Sequence, residues 1–112
     1  MDKHLLENFL KGWFIGPFKP TIHSTPDFEC AVKKYQAGDY EEKHYHLVAT
    51  EYTVIASGRV RMNGVEYGSD SIIEIKPGEA TDFEALVETI TYMPFYNILH
   101  HCSMSFWDLK HW

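Results

Sequence analysis

The sequence predicts one all-β domain, a sandwich or barrel of short strands. Three observations predict it. Runs of strand-forming residues recur along the chain. Turn residues close each run at spacings of roughly 8–12 positions. One of those turns is an Asn-Gly pair set between alternating apolar residues, the strongest short-range hairpin signal.

Length and composition agree. The chain has 112 residues, of which 45% are hydrophobic and 15% aromatic. That is enough for one domain with a single core, and too apolar for a disordered chain.

Each element follows from local chemistry. Residues 2–11 read as a short helix, because Leu5, Leu6, Phe9 and Leu10 fall on one stripe at helical spacing and Asp2 stands where a cap is needed. Gly12 ends it, and Gly16-Pro17 marks a further break. Trp13, Phe14 and Ile15 form an apolar knot between them. Such an arm covers an open barrel end or contacts a second copy.

The pattern turns to strand at 28–35, and Gly38-Asp39 is a turn signal. Residues 52–57 are rich in strand formers and stop at Gly58. Val60 and Met62 lead into Asn63-Gly64, with Val65 and Tyr67 beyond; both turn positions of a type I′ hairpin need positive φ. Gly68-Ser69 is the next turn. Ile72, Ile73 and Ile75 form another strand, stopped by Pro77-Gly78. Residues 85–93 read as a further strand, with Leu86, Ile90 and Tyr92 on one face. The domain is therefore the whole chain, 1–112, with a core at about 28–92, an N-terminal arm over 1–27 and a C-terminal tail over 93–112 that has no clear strand period.

Charge and cysteine usage narrow the function classes. Ten Lys and Arg against sixteen Asp and Glu give a formal charge of −6. The basic residues Lys33, Lys34, Arg59 and Arg61 are scattered, which argues against a nucleic-acid partner. No apolar run approaches the ~20 residues that span a bilayer, so no membrane partner is expected. Asp2 and Glu7 break the apolar start, unlike a signal peptide. Cys30 and Cys102 make no CxxC pair, which suits inert thiols in a reduced, cytoplasmic setting.

The candidate chemistry lies at His44, His46 and Glu51. Two imidazoles two residues apart share one face of a strand. Neutral imidazole binds Zn, Fe, Ni and Cu well, and a following carboxylate completes a three-ligand set with open positions. If the alternation holds, Thr53 and Ile55 continue the interior face and Tyr45 and Tyr52 point outward. The remaining His and Ser candidates are weaker. His4 and His23 read as surface residues, His100-His101 with Cys102 makes no obvious site, and Ser103 and Ser105 have no triad partners.

These residues carry a family resemblance. From Gly38 through His44, His46 and Glu51 to Gly58, the chain resembles the first cupin motif, G-x5-H-x-H-x4-E-x6-G, at all five fixed positions. The likeness runs on through the Asn63-Gly64 hairpin to a partial second motif at Ile75-Lys76-Pro77-Gly78. It implies a double-stranded β-helix, that is, a jelly-roll barrel, with the short N-terminal helix added. It also implies one divalent metal, with Zn, Fe, Mn or Ni left open, held by His44, His46 and Glu51.

Cupins of this type present a further histidine three residues after the second motif's glycine, where this chain has Thr81. Three outcomes stay open: metal held by His44, His46 and Glu51 with extra waters, which is favoured with Asp82 as the first helper; Asp82 or Glu79 substituting through a local bulge; or weak metal binding that leaves a polar pocket. The motif's asparagine falls at Ala85.

The resemblance leaves function open among three readings. One is a metal-dependent oxygenase or isomerase acting on a small polar organic or sugar-like molecule. Another is a non-catalytic metal-binding or ligand-sensing module. The third is a metal-free sugar-nucleotide isomerase-like cupin using His44 or His46 as acid or base. The expected partners are a small-molecule ligand and a second copy of the chain, as a homodimer.

Overall fold

A computed structural model of the chain describes residues 1–96. The candidates His100, His101, Cys102, Ser103 and Ser105 lie outside the described residues.

The chain forms nine strands within that range: β1 (Trp13–Ile15), β2 (Phe28–Tyr35), β3 (Tyr40–His44), β4 (Thr50–Ser57), β5 (Arg59–Met62), β6 (Val65–Gly68), β7 (Ile72–Ile75), β8 (Thr81–Ala85) and β9 (Thr89–Tyr96). Two antiparallel sheets result, one ordered β1-β2-β9-β4-β7 and the other β3-β8-β5-β6. Their inner faces alternate with outer faces along each strand, as the pleat requires. On β4, Glu51, Thr53 and Ile55 are all fully buried, as the alternation predicts, and Tyr45 is exposed. The core between the sheets is built from Trp13, Ala31, Ile55, Val60, Phe83 and Phe95, among others.

Glycines and one asparagine set the corners. At the β5–β6 turn Asn63 has φ 49° and Gly64 φ 79°, the two positive values that the hairpin reading requires. Gly58 has φ +107°, and a Cβ there would stand 2.3 Å from Thr89 Oγ1. Only glycine lets β4 pass so close to β9 and turn into β5.

Two expected elements are corrected. Residues 2–11 are not a helix but two 3-10 turns, Leu6–Asn8 and Leu10–Gly12, separated by Phe9 in extended conformation. Lys11 sits at φ 50° inside the second turn, and neither turn has a side-chain cap. A helix this short is marginal in water unless its apolar stripe is buried. Here Leu5 and Leu10 are about half exposed, so nothing holds the stripe in register. The apolar knot that follows is a strand instead: β1 pairs with β2 through Trp13 and Ala31, which brings Trp13 into the core.

The single strand expected at 85–93 is two strands in different sheets. β8 ends at Ala85 and β9 begins at Thr89. Between them the chain crosses over, tied by Leu86 N–H donating to Arg59 O at 2.9 Å and by Thr89 Oγ1 donating to Val87 O at 2.8 Å. The alternation continues across the crossover by coincidence, so periodicity alone does not reveal it. β9 then extends to Tyr96, past the expected start of the tail.

Candidate metal centre

The first motif occupies the end of β3, the connection to β4, and the start of β4. His44 is the last residue of β3. His46 lies two residues beyond, outside any strand, so the two imidazoles do not share one strand face as expected. A register shift between Glu41 and His44 marks where β3 departs from regular pairing with β8. The rings still meet edge to face, with centroids 5.8 Å apart.

His46 is held from two sides. Its ring stands edge-on to Phe95 at 4.9 Å between centroids. Its carbonyl accepts a 2.8 Å hydrogen bond from Gly78 N–H. The Pro77-Gly78 corner of the second motif therefore positions a residue of the first. Glu51 is fixed by the sheet, paired with Ile75 on one side and Phe95 on the other. Its Oε2 accepts a short hydrogen bond from Thr53 Oγ1.

The two side chains converge. His46 Nε2 lies 3.7 Å from Glu51 Oε1, and both are essentially buried. Two donors on one divalent ion, with bonds of roughly 2.0–2.2 Å, lie at most about 4.2 Å apart, so this pair has ligand spacing. Glu51 Oε1 is a buried carboxylate oxygen with no hydrogen-bond donor among the described residues. Burial pushes the Glu51 carboxyl well above the usual carboxylate range, with the Thr53 hydroxyl and the Lys33 charge pulling the other way.

His44 is oriented by its backbone. Its Nδ1 donates to Glu42 O at 2.6 Å, since a carbonyl can only accept. The neutral ring then carries its lone pair on Nε2, the nitrogen with metal-ligand character. Burial lowers the His44 pKa, opposed by that backbone bond and by Glu41. A neutral imidazole is the metal-binding form. Among the described residues no three His, Cys, Asp or Glu side chains already stand together as a metal cluster. The structure brings His46 and Glu51 together and leaves His44 beside them.

Asp82 is not part of this convergence. Thr81, Phe83 and Ala85 face the core, and Asp82 takes the alternate face of β8. Its Oδ1 accepts from Asn63 N–H at 2.7 Å and its Oδ2 from Tyr40 Oη at 3.4 Å. Glu79 accepts from Lys76 N–H at 2.8 Å and closes the Pro77-Gly78 turn. Thr81 does lie where a further ligand was expected, paired with His44 across the sheet. Its hydroxyl donates to Asp82 O at 2.7 Å. A cavity of about 170 Å³ borders Thr81 and Ile75, the register partners of His44 and Glu51.

Sequence reasoning missed a second buried polar group on the same interior face: Lys33, Tyr35 and Glu41. Lys33 Nζ lies 3.7 Å from Glu41 Oε2, and Tyr35 Oη donates to Glu41 Oε1 at 3.0 Å. The signal was present in β2, where Glu29, Ala31, Lys33 and Tyr35 alternate inward. A lysine in that series reads by default as a solvated residue.

Solved structures share this architecture. An uncharacterised double-stranded β-helix protein from Klebsiella pneumoniae subsp. pneumoniae matches with TM-score 0.59 and 19% identity over 64% of this chain and 65% of its own. An RmlC-like cupin from Shewanella frigidimarina matches with TM-score 0.60 and 12% identity over 69% of this chain and 71% of its own. The chain has a cupin fold. YhhW from Escherichia coli covers more of this chain, 90%, with TM-score 0.67 and 14% identity, but only 43% of YhhW itself is matched. No protein-family model and no curated protein matches the sequence. At these identities the cupin likeness is one of fold, and the reaction must be argued from the side chains. No helix among the described residues is long and apolar enough to cross a membrane.

Proposed function

We propose that this cupin binds one divalent metal through His44, His46 and Glu51 and uses it to engage a small polar organic molecule. The observation that carries this reading is the buried His46–Glu51 pair at ligand spacing, 3.7 Å, with a Glu51 oxygen that has no hydrogen-bond donor among the described residues. A buried carboxylate without a full set of partners is costly. A cation beside it removes that cost.

The bound metal would supply Lewis acidity at an open coordination position. The chain's own residues do the rest. Thr53 holds one Glu51 oxygen and leaves the other directed at His46. The Glu42 carbonyl fixes the His44 tautomer. Phe95 walls the site against water on its sheet side. With the Thr81 hydroxyl donating to the Asp82 carbonyl and the Asp82 carboxylate engaged elsewhere, three protein ligands support the ion, which leaves room for solvent or substrate.

Titration of chelator-stripped protein with Zn²⁺, Mn²⁺ and Ni²⁺ by calorimetry tests the reading. One equivalent should bind wild type, and His46→Ala should bind at least about tenfold more weakly, the loss typical of a ligand or its support. Equal affinity in both proteins defeats the proposal. A turnover screen on the loaded protein then separates catalysis from sensing, since a sensor is stabilised by its ligand without converting it.

A further inference from the structure

A second cavity, of about 550 Å³, lies between the N-terminal arm and the β2–β3 corner. None of His44, His46 and Glu51 lines it. Its volume is in the range of small-molecule sites. Leu6, Phe9 and Val32 contribute apolar wall. The polar part is the linked group already described, in which Glu41 accepts from Tyr35 Oη at 3.0 Å and pairs with Lys33 Nζ at 3.7 Å. The Lys33 and Glu41 side chains are only 10% and 19% exposed. A largely buried ion pair is weak as a stabilising device, because desolvation offsets its attraction. Its position against a cavity points to recognition.

The charge balance selects the ligand class. Among the described residues, Lys11, Lys33 and Lys34 line the cavity together with Glu7, Asp39 and Glu41, three cations with three anions. An anion entering beside Lys33 meets the Glu41 carboxylate, and a cation entering beside Glu41 meets Lys33. A wholly apolar guest strips water from the ion pair and returns no hydrogen bond. Neighbouring hydroxyls suit both partners at once, because each hydroxyl donates and accepts.

We propose that this cavity binds a small uncharged polyhydroxylated molecule of sugar size, one hydroxyl accepting from Lys33 and its neighbour donating to Glu41, with the carbon skeleton against Phe9 and Leu6. His44, His46 and Glu51 do not line this cavity, while the Lys33 charge reaches Glu51 and the Glu41 charge reaches His44.

The test is a nuclear magnetic resonance titration of the full, chelator-stripped chain with D-glucose, D-galactose, maltose and myo-inositol, beside sodium acetate and tetramethylammonium chloride. At least one polyol should give saturable amide shifts centred on residues 6–12 and 32–41, and neither ion should. Lys33→Met should weaken that binding by about tenfold or more, as expected for a lost hydrogen bond to a charged group. Phe9→Ala, on the half-buried arm, should weaken it without unfolding the domain and decides the matter if the Lys33 variant does not fold. Ile72→Thr, exposed on β7 and away from the cavity, should titrate like wild type. No saturable polyol shift, stronger binding of either ion, shifts centred on His46 and Thr53, or unchanged affinity in Phe9→Ala would overturn the assignment.

Discussion

Glu51 is the residue on which the site turns. It is fully buried, and burial raises its carboxyl well above the ordinary range. Its contribution to stability is therefore present at pH below the ordinary carboxylate value and is lost as pH rises through its raised value. Metal-free Glu51→Gln should melt higher than metal-free wild type at neutral pH, by about 1–2 kcal/mol. The advantage should shrink toward about pH 4, where both side chains are neutral. Added Zn²⁺ should raise the melting temperature of wild type and leave the variant unmoved. Thermal melts across pH, with and without Zn²⁺, check all three points. Asp82 supplies the contrast. Its carboxylate is engaged by Asn63 and Tyr40 on the far face of β8, so Asp82→Asn should keep the metal shift of wild type. From sequence, Asp82 is expected to help hold the metal, but β8 runs without a bulge there and the pleat turns Asp82 from the face of Thr81. The Thr53 contact was partly legible: i and i+2 on one face was clear, but not that the hydroxyl would take one carboxylate oxygen and leave the other.

At the scale of elements, strands were readable where turn chemistry was explicit. Asn63-Gly64 and Gly58 have the positive φ values their turns require. Gly58→Ala should destabilise the protein by about 2–3 kcal/mol, since it adds backbone strain and forces Cβ toward Thr89. Denaturant unfolding measures this directly. Elements were misread where a local pattern has two tertiary outcomes. The stripe at Leu5, Leu6, Phe9 and Leu10 has helical spacing, but an arm that leaves Leu5 and Leu10 half exposed has no packing to stabilise a helix. The alternation through 85–93 crosses from one sheet to the other, and period two carries no information about which sheet a strand joins. His46 shows the same limit. It works from a connection rather than a strand, held by Gly78 N–H and Phe95, and neither contact is a sequence-local feature.

Across the whole molecule, the arm belongs to the core. Trp13 is 1% exposed and its ring lies 5.3 Å from Phe95, which in turn walls His46. Trp13→Ala should cost about 3–5 kcal/mol, a large share of the roughly 5–15 kcal/mol that holds a domain of this kind together. Chemical denaturation of the purified variant gives that number, and a loss below 1 kcal/mol would mean the arm is only draped on the surface. The sandwich thus joins the arm, both sheets and the two motifs through one layer of side chains. His46 and Glu51 meet because Phe95 lies between β2 and β4 and because the Gly78 corner returns to the β3–β4 connection. The central claim is that this layer holds a metal. It is tested most directly by elemental analysis of wild type beside His44→Ala, His46→Ala and Asp82→Asn, all loaded and desalted alike. One metal equivalent per chain is expected in wild type and in Asp82→Asn, and its loss in both histidine variants. Equal metal content in wild type and His44→Ala, or no bound metal in wild type, would contradict it.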